Sequence, residues 1–154
     1  MMNECLFCKL VKGEIPTKKV YEDESILAFL DINPCTEGHT VVIPKKHNQF
    51  LEDMSEDDIA YLFQKVTSLA SSVKKAVNAD GYNMGINDGH AAGSEIPHVH
   101  IHIIPRYKDD QGGAIQSIVR TQVQREKLDE ILNKITSELS GASVPEKNPY
   151  DDMF

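Results

Sequence analysis

His98-Val99-His100-Ile101-His102-Ile103-Ile104-Pro105-Arg106 is the stretch on which the reading of this chain turns. In an extended strand, residues two apart point to the same face. The three imidazoles then line one face, and Val99, Ile101 and Ile103 line the other. The apolar set belongs against a core and the histidine set belongs at a site. Two chemistries suit such a row. Neutral imidazole ligates metals, and His at i and i+2 can chelate. An imidazole nitrogen can also act as a nucleophile and hold a phosphoryl or nucleotidyl group. A three-His metal site usually wants a further carboxylate or His nearby, but the residues just after the triad, Ile103-Ile104-Pro105-Arg106, supply a cation instead. An arginine suits an anionic substrate.

The loop upstream, Asn87-Asp88-Gly89-His90-Ala91-Ala92-Gly93-Ser94, is built of small residues. Gly93 and the alanines let a ligand approach backbone N–H groups, which can cradle phosphate. Ser94 adds a hydroxyl and Asn87 an amide. Further out, Lys19–Glu22 and Ile26–Leu30 read as strands joined by a turn at Asp23-Glu24-Ser25. Thr40–Ile43 is a β-branched run. Residues 82–86 and 99–104 are two more strands. Ser55 to Ala79 reads as a long helix, with Ser55 as N-cap and Ile59, Leu62, Phe63, Val66, Leu69, Ala70, Val73 and Val77 on one face. Gly81 is expected to take a left-handed turn after it. A second helix runs from about Gln124 to Leu139, with Leu128, Ile131, Leu132, Ile135 and Leu139 on one face. Loops too short for crossovers imply an antiparallel sheet, hence an α+β fold. One domain is expected over residues 1–140. A tail follows over 141–154, whose Tyr150, Met153 and Phe154 could dock or fray.

The chain has 154 residues, 40% of them apolar, enough for one core. Acids outnumber bases 24 to 16, for a net charge of −8. That opposes general nucleic-acid binding. No apolar run reaches membrane-span length, so no membrane role is expected. The first residues, Met1 to Cys5, lack the pattern of a signal peptide, and the protein is expected in the cytoplasm. Three cysteines, an odd number, do not make a secreted disulfide framework. Cys5-Leu6-Phe7-Cys8 can grip one tetrahedral metal if two more ligands come from His39, His47, His90 or the triad. A redox dithiol and a pair of unliganded cysteines are the alternatives. Cys35 reads as a small buried hydrophobe.

The His98–Arg106 run resembles the histidine-triad (HIT) signature. Several further motifs are similar to microbial HIT proteins, in the same order: Cys5-Leu6-Phe7-Cys8-Lys9, Gly13-Glu14-Ile15-Pro16, Tyr21-Glu22-Asp23, Ala28-Phe29-Leu30-Asp31-Ile32, Gly38-His39-Thr40 and Ile43-Pro44-Lys45-Lys46-His47. The resemblance covers about residues 5 to 115. It implies a five-stranded antiparallel sheet with a long helix, paired as a homodimer with a continuous sheet. It implies a purine nucleotide substrate, hydrolysed at the α-phosphate through a covalent nucleotidyl–His100 intermediate. By the same resemblance Asp31 takes the ribose hydroxyls and Ile32 the base. Asn87, Gly93 and His102 serve the phosphate or orient the nucleophile. Cys5, Cys8, His47 and His98 hold a structural zinc ion. Ser94 stands where the family commonly has Gln, which contacts phosphate or leaving group. That favours a phosphoramidate or similar substrate. A dinucleoside polyphosphate hydrolase and a nucleotide-binding regulatory protein with little turnover are the alternatives.

Overall fold

Ile26–Leu30 (β2) and Thr40–Pro44 (β3) are apolar at nearly every position, and the structure buries all of them except Leu30. A strand that is apolar on both sides needs a cover on both faces. The computed structural model, which describes residues 5–121 and 124–141, supplies two. On one face lies α2, Glu56–Ala76, whose Leu62, Val66, Ala70 and Val73 are buried. They form a core with Ile26, Ala28, Val42, Val99, Ile101 and Ile103. On the other face lies a short helix, α1, Leu6–Val11. Its Phe7 and Leu10 pack with Leu27, Phe29, Val41 and Ile43.

α1 was not legible in the sequence. Six residues give no periodicity, and the helix has no side-chain N-cap. It exists because burying Phe7 and Leu10 is worth roughly 2–3 kcal/mol each, more than the helix could contribute alone. α2 starts as expected, with the Ser55 hydroxyl accepting from the Asp58 N–H at 3.2 Å. Phe63 falls off the buried stripe and is 42% exposed. The left-handed turn after the helix falls at Asn78 (φ 52°), while Gly81 opens a strand instead. Asn tolerates that conformation better than most residues.

The sheet is completed by β1 (Lys19–Glu22), β4 (Gly81–Gly85) and β5 (Ile101–Arg106), in the order β1-β2-β3-β5-β4, with every pair antiparallel. The hairpin turn at Asp23 is held by its own carboxylate. It accepts from the Ser25 and Ile26 N–H groups and from the Tyr21 and Tyr61 hydroxyls. Burial alone would raise this carboxyl, but those bonds hold it well below the usual range. α2 carries the chain over the sheet, so β4 takes an edge and β5 slots in beside β3. Val41 then faces His102 and Val42 faces Ile101. β3 follows directly on His39 and ends just before His47. Antiparallel pairing therefore brings His39 to the later part of β5 and His47 to the residues that precede it.

Gly38 makes the entry to β3 possible. It has φ +80°, and a Cβ there would lie 2.9 Å from Val77 Cγ1 and 3.3 Å from Pro105 Cγ. Gly38→Ala should cost roughly 1–3 kcal/mol and lower Tm by about 3–10 °C. An unchanged thermal melt would show that the turn can relax.

The described chain divides into two compact units, Met1–Gly113 and Ala114–Phe154. In the second, a 3-10 turn at Arg125–Lys127 leads into α3, Leu128–Gly141. The expected apolar stripe is present, but Leu128, Leu132, Ile135 and Leu139 are each more than half exposed. Residues 1–4 and 142–154 lie outside the described residues, and with them the expectations for the N-terminus and for Tyr150, Met153 and Phe154.

Candidate functional site

Cys5 caps α1 and Cys8 lies within it, so one helical turn presents both sulfurs to the same point. His47 and His98 arrive from the far end of β3 and the approach to β5. The four ligand atoms all lie within 4.8 Å of one another. Cys5 Sγ is 3.4 Å from His98 Nδ1, Cys8 Sγ is 3.3 Å from His47 Nδ1, and the two Nδ1 atoms are 3.3 Å apart. Cys8 Sγ is 3.7 Å from His98 Nδ1. Metal bonds of about 2.3 Å to sulfur and 2.0–2.1 Å to nitrogen give tetrahedral edges of about 3.3 Å between nitrogens and about 3.6 Å between nitrogen and sulfur. The distances in the cluster lie close to these. His98 Nε2–H donates to the Pro44 carbonyl at 2.8 Å, which turns the Nδ1 lone pair toward the sulfurs. Such an outer hydrogen bond is the usual companion of a ligating histidine. The donor set and spacing fit a tetrahedral ion such as zinc. Burial and then the neighbouring Cys5 raise the Cys8 thiol.

His98 lies in a bend and the strand proper starts only at Ile101, yet the alternation of sides holds. Val99, Ile101 and Ile103 enter the core under α2. His98 and His100 pack edge-on against Phe7, with ring centroids 5.8 and 5.3 Å away. His100 Nδ1–H donates to the His98 carbonyl at 2.7 Å, leaving its Nε2 lone pair uncommitted to that bond. His102 follows, its ring 5.1 Å from that of His100. Its Nδ1 lies 2.9 Å from His39 Nε2. Burial, then the adjacent His100 and His39, push His102 down to about 4 against the pull of Asp31. Burial likewise lowers His39, again opposed by Asp31. Both rings are neutral at pH 7.

Asp31, His39 and His102 form a second cluster of ligand-type atoms. Its geometry is that of a hydrogen-bond chain. The 2.9 Å between the two nitrogens is shorter than a tetrahedral edge, and the Cys35 N–H already donates to His39 Nδ1 at 3.3 Å. Asp31 follows β2, and its Oδ1 accepts the Asn33 N–H at 2.8 Å, a turn-capping bond. Its Oδ2 lies 3.6 Å from His39 Nε2. Beside it is an open cavity of about 330 Å³ lined by residues from Leu30 to His39. Ile32 stands 91% exposed on the same turn. Cys35, expected to be buried, is exposed, because the loop that carries it serves as the wall of this cavity.

The loop before the triad is more self-contained than its composition suggests. The Gly93 and Ser94 N–H groups donate to the His90 and Gly89 carbonyls. The Ser94 hydroxyl donates to the Ile96 carbonyl at 3.3 Å. Gly93 takes φ +92° and passes close to the Asn87 amide. Arg106 is committed elsewhere. It forms a fork with Asp110 and also donates to Asn83 Oδ1 and the Gly113 carbonyl, so it ties down a loop instead of offering a cation to a ligand. His39 and Phe7 are the site residues that sequence reasoning missed in these roles. His39 had a signal, its place one residue before a β-branched strand, but only the strand order shows which histidine it meets.

A sheet that gathers five of the chain's six histidines around β3 and β5, three of them at alternate positions, defines a histidine-triad protein. Residues 12–109 match the HIT domain model, and the chain belongs to the HIT family. It is 46% identical over 131 residues to an uncharacterised HIT-like protein of Methanocaldococcus jannaschii, covering 85% of this chain and 98% of that one. It is 35% identical over 138 residues to an adenosine 5′-monophosphoramidase of Saccharomyces cerevisiae, covering 90% and 84%. A HIT-family crystal structure from Bacillus subtilis superposes with a TM-score of 0.80 at 38% identity, covering 92% of this chain and all of that one. A zinc-bound histidine-triad protein of Mycobacterium smegmatis gives 0.68 at 35%, covering 90% and 96%.

Proposed function

We propose that this HIT protein hydrolyses a purine nucleotide derivative, a phosphoramidate or similar, at the α-phosphate through a covalent nucleotidyl–His100 intermediate. The observation that carries the reading is the bond from His100 Nδ1–H to the His98 carbonyl, which fixes the tautomer and leaves Nε2 as a nucleophile. In the first step the Nε2 lone pair forms a bond to phosphorus, the bond from phosphorus to nitrogen breaks, and the amine takes up a proton from solvent as it leaves, a proton that the water of the second step returns. In the second, water displaces His100 and the nucleoside monophosphate leaves. His102 lies beside the nucleophile and meets charge developing on the phosphate oxygens. The phosphoramidase named among its relatives supports the substrate class.

Asp31 takes the ribose hydroxyls, with Ile32 against the base and Asn87, Gly93 and Ser94 toward the phosphate. Asp31 lines the cavity, and charge-assisted bonds to two hydroxyls are the stronger kind. Asp31→Ala should therefore bind ribo- and 2′,3′-dideoxynucleotides alike, while the wild type prefers the ribose form. Equal discrimination in both proteins would remove the assignment. Cys5, Cys8, His47 and His98 would hold zinc in a structural role, since four protein ligands leave no open position. Two thiolate ligands suit a reducing compartment such as the cytoplasm. No helix among the described residues is long and apolar enough to cross a membrane. A homodimer with a continuous sheet belongs to the same reading, β1 and β4 being the edge strands.

The test is release of adenosine monophosphate from adenosine 5′-phosphoramidate and from diadenosine tetraphosphate, with mass analysis for an adenylyl group on His100. Turnover of the first with a trapped adduct is expected. Binding of adenosine monophosphate with no turnover of either would leave a nucleotide-binding protein instead.

A further inference from the structure

We infer that His39 is a positioning residue that fixes His102 as the tautomer with its proton on Nε2, so that His102 shows the substrate a donor and not a lone pair. The role in turnover rests on the hydrolase reading above. The tautomer does not.

The argument starts from a group that cannot change its role. A peptide N–H is a donor at any pH. The Cys35 N–H is directed at His39 Nδ1, 3.3 Å away, so that nitrogen is an acceptor and carries no proton. The Cys35 thiol, 3.6 Å from the same atom, can only add a second donor there. A neutral imidazole with Nδ1 as acceptor has its proton on Nε2. That proton is directed at His102 Nδ1 at 2.9 Å. His102 Nδ1 is therefore an acceptor in turn, and the His102 proton stands on Nε2. Asp31 Oδ2, 3.6 Å from His39 Nε2, places negative potential on the same side and favours a proton there.

The neighbouring histidine is set the opposite way. His100 gives its Nδ1–H to a carbonyl and keeps a bare Nε2. Two imidazoles whose ring centroids are 5.1 Å apart thus present opposite faces of the same chemistry: one an electron pair, the other a proton. A row of identical residues becomes a nucleophile beside a hydrogen-bond donor through their backbone and His39 partners alone. Were His102 in the other tautomer, its lone pair would face the phosphate oxygens and oppose the charge that builds there. Loss of one such donor costs about 10²–10³-fold in kcat.

Long-range proton–nitrogen NMR of the ligand-free, metal-loaded protein reads the tautomer directly. The expected result is His102 protonated at Nε2 and His39 likewise. His39→Leu should lose the His102 preference and lower kcat on adenosine 5′-phosphoramidate by about 10²-fold, with KM and metal content little changed. His39→Gln restores an N–H at that place and should recover both tautomer and rate. Wild-type His102 protonated at Nδ1 overturns the inference without any variant. So does a folded His39→Leu protein that keeps the wild-type tautomer and rate. The expected tautomer in a protein with no nucleotide turnover would support the assignment and count only against the hydrolase reading.

Discussion

His100→Ala should lower turnover of adenosine 5′-phosphoramidate by about 10⁴-fold or more while the protein still folds and keeps its metal ion. The size of the loss follows from what is removed. In the proposed mechanism no covalent intermediate forms without Nε2, and water must attack directly in a site shaped for an imidazole. His102 and the phosphate contacts remain, so some catalysis survives, as it does when other enzymes lose a nucleophile. The side chain is buried against Phe7, and the substitution leaves a small cavity there. A thermal melt and a metal assay on the variant separate that cost from the chemical one. His100→Gly should recover part of the rate when imidazole is added. Near wild-type hydrolysis by the alanine variant would show that the nucleophile has been misplaced.

Loss of the ion proposed for Cys5, Cys8, His47 and His98 should be the most damaging change to stability. Cys8→Ser, or exhaustive chelation of the wild type, is expected to cost more than about 4 kcal/mol and to lower Tm by at least about 10 °C. α1 has no side-chain cap, and it is held to the described core by only Phe7, Leu10, the partly buried Val11 and the two cysteines. Losing the ion also strands His47 and His98 with their Nδ1 atoms 3.3 Å apart. Activity should fall with stability, because the carbonyl that fixes His100 belongs to His98, itself a ligand in this reading. Metal content, melting and turnover measured on the same samples check this. A Cys8→Ser protein with unchanged melting and turnover would rule out a structural ion at this place.

The features most easily read in the sequence are those governed by local periodicity. Ile26–Leu30 and Thr40–Ile43 could be read as strands because the first is apolar throughout and the second is β-branched throughout, each bounded by turn signals. α2 could be read because its apolar residues recur at helical spacing and Ser55 precedes acids. The side-to-side alternation of His98–Ile103 needs only extended backbone, so it survives although His98 lies outside the strand. The Cys5, Cys8, His47 and His98 grouping was carried by family resemblance, since His39, His47 and His90 are equally good candidates on spacing alone. What escaped reading depends on distant neighbours. α1 is a helix only because a sheet face lies beneath it. Cys35 is exposed because its loop walls a cavity. Arg106 is unavailable because Asp110, four residues on, claims it. His39 faces His102 through a strand order that no local pattern encodes.

β3 sits between His39 and His47, eight positions apart, and so acts as a ruler between two chemistries. The spacing of the proton chain from the metal cluster is set by the rise of one fully buried strand, not by any contact between the two. Exchange of a side chain in β3 costs only its own packing. A single inserted or deleted residue has a different consequence. It would rotate everything beyond it to the other face and move it by about 3.3 Å, taking one histidine away from its partner however the slip is absorbed. Tolerance to substitution and intolerance to change of length should therefore part company in this strand more sharply than anywhere else in the sheet.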